Sequence, residues 1–290
     1  MSTTETPADL ARLLPSRSRR DFVRAGLGSG FAAAVLPVTA QTVVKTDSAG
    51  LTVGEVVVKV GDLNLPVYRA MPSGGKNLPV VLVVSEIFGV HEHIADVARR
   101  FARQGYLALA PELFVRQGDP GSYGEIGKLI SEVVNQARDA QVMTDLDACV
   151  GWAQANGGDT RKLGITGFCW GGRIVWMHAA HNPALTAGVA WYGPLARAYA
   201  AGDRNAIEVA PRIKAPMLGL YGGDDSDIPN EGVEQMRAAL KAAGNARSEI
   251  VLYPGTPHAF HADYRPSYRK TEAEDGWRRC LAWFKAHGVA

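Results

Sequence analysis

At 290 residues, 47% hydrophobic and 21% charged, the chain is long enough to bury a sizeable core without disulfides or metals. A formal charge of +2 excludes a general electrostatic case for nucleic acid or an anionic surface. Its three cysteines, Cys149, Cys169 and Cys280, are too few for a disulfide framework, and no C-x-x-C or H-E-x-x-H marks a metal site, so no metal or other cofactor is expected.

The first 40 residues read as an address. Ser18-Arg19-Arg20-Asp21-Phe22-Val23-Arg24 is basic, Ala25 to Val38 is weakly apolar and glycine-rich, and Val38-Thr39-Ala40 offers small residues for cleavage near Ala40. That order is the order of a secretory signal. The paired arginines followed by Phe22 resemble a twin-arginine signal, which exports folded proteins. A disordered cytosolic tail and an uncleaved anchor are the alternatives. The expectation is a periplasmic or exported protein that engages the twin-arginine machinery, with residues 41–290 as its folded domain and a monomer or small homo-oligomer as its state.

From Leu51 strand-like and helix-like stretches alternate. Glu55–Val60 and Leu65–Ala70 read as strands around a turn at Gly61-Asp62, and Val80–Val84 as a strand buried on both faces. His91–Gln104 has a helical pattern that Gly105 ends, and Tyr106–Ala110 is a short strand. Residues 125–155 predict one or two amphipathic helices. Leu163–Gly167 predicts a strand leading into a helix at Gly171–His181. Ala187–Trp191, Met217–Tyr221 and Glu249–Tyr253 read as strands, Glu231–Ala243 and Thr271–Ala286 as helices. Strands separated by helices predict an α/β domain, a doubly wound, mostly parallel sheet flanked by helices, with ligands bound beyond the carboxyl ends of the strands.

One such end carries a chemical motif. Gly167-Phe168-Cys169-Trp170-Gly171-Gly172 follows a strand and opens a helix, matching the G-x-S-x-G nucleophile elbow with cysteine for serine. So sharp a turn tolerates no Cβ two residues either side of the nucleophile. The helix N-terminus favours a thiolate and, later, an oxyanion. In this fold the acid and then the histidine follow the nucleophile along the chain. After Met217–Tyr221 come Asp224, Asp225 and Asp227, any of which could be the acid; the spacing to Ile228-Pro229 favours Asp225. After Glu249–Tyr253 comes His258, with His261 as its rival. Cys149 and Cys280 lie in helical patterns and read as packed thiols, His178 and His181 as structural, while His91 and His93, near the mouth, stay open.

Over most of residues 50–290 the sequence resembles the dienelactone hydrolase (carboxymethylenebutenolidase) family of the α/β-hydrolase fold. The resemblance rests on Gly167–Gly172, Ser85-Glu86-Ile87-Phe88-Gly89-Val90, Pro111-Glu112-Leu113-Phe114-Val115-Arg116-Gln117 and Pro257-His258-Ala259-Phe260. It implies a small ester or lactone as substrate and Cys169, His258 and Asp225 as the triad. It further implies that Glu86 pairs with the resting thiol and takes its proton, that Arg116 binds a substrate carboxylate, and that Tyr192 lies near the site. The backbone N–H groups of Ile87 and Trp170 would hold the oxyanion. The family's second substrate arginine falls on Ala262; Arg265 is close by in a different register. An exported thiol-dependent redox protein and a non-catalytic binding protein on the same scaffold are the competing classes.

Overall fold

Residues 43–290 are described by the computed structural model, so the expected leader lies outside the described residues. Eight strands form one sheet in the order β1-β2-β4-β3-β5-β6-β7-β8. They are β1 Leu51–Val60, β2 Leu63–Pro72, β3 Leu78–Val84, β4 Leu107–Pro111, β5 Gly158–Phe168, β6 Ala187–Trp191, β7 Met217–Gly222 and β8 Glu249–Tyr253. Strands β1 and β2 pair antiparallel around Gly61, whose φ of +57° suits glycine, and β2 is antiparallel to β4; every other pairing is parallel. The mostly parallel α/β sheet expected from the alternation is therefore present, with an antiparallel edge.

The helices are α1 Glu92–Arg103, α2 Ile126–Glu132, α3 Asp139–Ala155, α4 Trp170–His181, α5 Ala206–Val209, α6 Asn230–Ala242 and α7 Lys270–Ala286. Side chains three apart on a strand face opposite ways. On β5 a Cβ at Gly164 would meet Phe284 of α7, whereas one at Gly167 would meet Gly171 of α4. Helices α7 and α4 thus cover opposite faces. Helix α1 joins α7 through Phe101, whose ring lies 4.7 Å from that of Trp277. Among the described residues no helix is long and apolar enough to cross a membrane.

Strand β3 is buried from Val80 to Val84, which is why it reads as an unbroken apolar run rather than an alternating one. The sheet's middle is thus dry, and polar chemistry collects where its strands end.

Candidate active site

Cys169 stands between the end of β5 and the start of α4, with φ +53° and ψ −120°. That backbone is strained for a residue with a Cβ, and the surroundings enforce it. A Cβ at Gly167 would lie 2.4 Å from Gly171 O, and one at Gly171 2.4 Å from Val84 O and 2.5 Å from Ser85 O. The elbow is therefore pressed against the end of β3, which brings Glu86 and Ile87 to it. The Cys169 N–H donates to Trp191 O at 3.0 Å, anchoring the elbow to β6. Trp170 opens α4, so its N–H belongs to the first turn, whose donors lack intrahelical acceptors. Cys169 is partly exposed, whereas Cys149 and Cys280 are buried and burial pushes their thiols up.

The loops after β7 and β8 converge on the thiol. His258 Nδ1 sits 2.7 Å from Asp225 Oδ2, and the ring is near enough to Cys169 to feel its charge. The other carboxylate oxygen, Oδ1, accepts the N–H groups of Asp227 at 2.9 Å and Ile228 at 3.1 Å. Of the three aspartates after β7, Asp225 is thus the one that reaches the imidazole. Burial opposes the charged imidazole, yet the neighbouring Cys169 and Asp225 charges and the Asp225 hydrogen bond raise its pKa well above the usual value. His261 is buried, 25° from coplanar with Phe168 at 5.0 Å, and burial lowers its pKa well below the usual value. It is a packing residue.

Glu86 departs from expectation. Its carboxylate is buried and bonded to His91 Nε2 at 3.0 Å and to the Tyr264 hydroxyl at 3.4 Å. Behind it stands a second ion cluster: His93 Nδ1 to Asp263 Oδ1 at 3.1 Å, and Arg100 to Asp263 at 2.7 Å and to Asp96 at 2.6 Å. Burial would raise the Glu86 pKa, but the His91 hydrogen bond and the charges of His91, His93 and Arg265 lower it to about 2. The carboxylate's hydrogen bonds here run to His91 and Tyr264, and no bond to the Cys169 thiol is present among the described residues.

The same shift makes a stability prediction. A group with a depressed folded pKa contributes stability above its unfolded value, near 4.5, and loses it as pH falls through the folded value, about 2. Glu86→Gln should therefore be less stable than wild type at neutral pH, by on the order of 3 kcal/mol. The gap should close between about pH 4.5 and 2. Urea unfolding across that range checks it; parallel curves would count against a charged Glu86.

With this geometry in place, comparison with known proteins is informative. The family model described as "Dienelactone hydrolase family" matches residues 65–288. The chain belongs to the dienelactone hydrolase family. It is accordingly a hydrolase of the ester- and lactone-cleaving kind. A protein of Methylorubrum extorquens provisionally named carboxymethylenebutenolidase is 54% identical over 291 residues, covering 99% of this chain and 100% of its own. An Escherichia coli K12 protein with the same provisional name is 52% identical, over 90% of this chain and 96% of its own. The crystal structure of a provisionally named dienelactone hydrolase from Klebsiella pneumoniae superposes with a TM-score of 0.78 at 52% identity, over 81% of this chain and 98% of that one.

The remaining family positions divide into two groups. Tyr192, with φ +37°, is fully buried, its ring 5.2 Å from His258, and its hydroxyl has no hydrogen-bond partner among the described residues. Arg116 instead makes a two-pronged ion pair with buried Asp145 of α3, at 2.6 and 2.7 Å, so its charge is already matched. Arg265 is buried, and its charge acts on Glu86; Ala262 is buried beside it. His178 is buried in α4 without a hydrogen-bond partner among the described residues, and His181 pairs with Asp147 at 2.7 Å. Sequence reading left His91 and His93 open and did not single out Asp263, Tyr264 or Asp145. Tyr264 and Asp263 are distant in sequence from their partners, so no local spacing could reveal them.

Proposed function

We propose that this dienelactone hydrolase relative cleaves a small ester or lactone by nucleophilic catalysis from Cys169, with His258 as acid and base and Asp225 as its orienter. The observation that carries the reading is the partly exposed Cys169 on its strained elbow, close enough for its charge to act on an imidazole that the Asp225 carboxylate holds at 2.7 Å. The thiol proton passes to His258, and the thiolate sulfur attacks the carbonyl carbon. The tetrahedral oxyanion is met by the N–H groups of Trp170 and Ile87. The C–O bond to the leaving group breaks as His258 returns the proton to that oxygen, leaving a thioester on Cys169. Water, losing a proton to His258, then attacks the thioester, and the thiol is released. In this scheme Glu86 takes no proton; it holds the buried His91 ring by a hydrogen bond.

A redox role finds no support in the other thiols, since Cys149 and Cys280 are buried away from solvent. A panel of lactones and p-nitrophenyl esters tests the proposal. Turnover of lactones and short esters, with a first-turnover burst matching the enzyme concentration if deacylation is slow, is the expected result. Folded protein that turns over none of them would overturn it.

A further inference from the structure

The loop after β8 carries His258 on strained backbone. Ala259, the next residue, takes a φ of +58°, a left-handed conformation that is costly for a side chain with a Cβ. Tight turns follow: the Ala262 N–H donates to Ala259 O at 3.0 Å and the Arg265 N–H to Ala262 O at 2.9 Å. Such strain persists only where the surroundings hold it. Within these turns lies Asp263, a buried carboxylate. Its Oδ1 meets His93 Nδ1 at 3.1 Å, and its Oδ2 accepts from Arg100 at 2.7 Å and from the Val44 N–H at 3.2 Å. Burial would raise its pKa, but the charges and hydrogen bonds of His93 and Arg100 hold it well below the usual carboxylate range. One side chain thus ties the His258 loop to α1 and to the segment before β1.

The tie also reaches the nucleophile. The His93 ring stands edge-on to that of Phe168, the residue before Cys169, at 6.2 Å. It lies 5.5 Å from the His261 ring, which is itself 5.0 Å from Phe168. Tyr264, next to Asp263, reaches Glu86 with its hydroxyl at 3.4 Å. Asp263 therefore sits where the His258 loop, the end of β5 and the end of β3 pack together. The hydrolytic scheme gives it no part.

We propose that Asp263 is a positioning residue for the reaction at Cys169: it locks the loop of His258 against α1 and so sets the distance and angle of the imidazole to the sulfur. This rests on the hydrolase reading above. Asp263 touches neither substrate nor thiol; it acts through the backbone of Ala259 and the packing of His93 on Phe168.

Asp263→Ala takes the acceptor from His93, Arg100 and Val44. In the folded variant kcat for p-nitrophenyl butyrate should fall by on the order of tenfold to a hundredfold with little change in KM, because a displaced base weakens the transition state and not ground-state binding. Asp263→Asn, which keeps one acceptor oxygen, should lose less. A second readout needs no turnover: the rate at which iodoacetamide alkylates Cys169, the other two cysteines being buried. At pH 7 that rate should fall several-fold in Asp263→Ala, since the imidazole no longer takes the thiol proton. Above about pH 10, where a thiol ionises unaided, variant and wild type should converge. Should Asp263→Ala not fold, Arg100→Gln decides, because that side chain is partly exposed and its loss frees the same carboxylate. Unchanged kcat, unchanged alkylation at pH 7, or a loss that persists at pH 10 overturns the proposal. Alkylation that depends on Asp263 in a protein that hydrolyses no ester would keep the positioning role and sink the hydrolase reading instead.

Discussion

Cys169→Ala protein is expected to fold normally and to lose hydrolysis of every substrate that wild type turns over, by on the order of 10⁴-fold or more in kcat. The methyl group fits where the thiol stood, and the elbow's strain is borne by Gly167, Gly171 and the strand ends rather than by sulfur. What is lost is the only partly exposed cysteine, the one whose charge acts on the His258 imidazole. The residual rate would come from the oxyanion donors and from binding. Equal urea midpoints with unequal kcat are the pattern to look for.

Asp225→Asn is expected to cost about 10⁴-fold in kcat, the size of effect that the same exchange has in serine triads. The reason can be read from the hydrogen bonds. Oδ1 accepts two backbone N–H groups, from Asp227 and Ile228, so an asparagine must put its carbonyl oxygen there. Its NH2 then faces His258 Nδ1 and donates to it. The ring is driven to the tautomer with hydrogen on Nε2, which can no longer accept the thiol proton. Loss of the negative charge also weakens the imidazolium that the reaction forms. Single-turnover kinetics at neutral pH measure this; a loss below tenfold would mean that Asp225 merely closes the loop.

Much of the frame was legible because burial writes itself into composition. The run Val80–Val84 and the five-residue strands β6 and β8 emerge from the sequence at or near their observed bounds. The start of β5 does not. Gly158–Lys162 is polar and partly exposed, pairs only at the rim with Leu78 and Pro79, and carries no apolar signal. The elbow was legible because its glycines answer a steric demand that few other arrangements make. The setting of Glu86 was not. Its partner His91 is five residues away, but their meeting depends on the loop between β3 and α1, and Tyr264 comes from the far end of the chain. Arg116 likewise reads as an available cation until α3 brings Asp145 against it. Charge balance inside a fold is a property of tertiary contacts, and a linear motif states only which charges exist.

The central claim is that a sulfur atom carries the acyl group. Wild-type protein mixed with a p-nitrophenyl ester, quenched in acid within one turnover and digested, should yield a peptide containing Cys169 heavier by one acyl group, the added mass being lost on treatment with neutral hydroxylamine. An acyl group on any other residue, or sustained hydrolysis by Cys169→Ala protein, would contradict it.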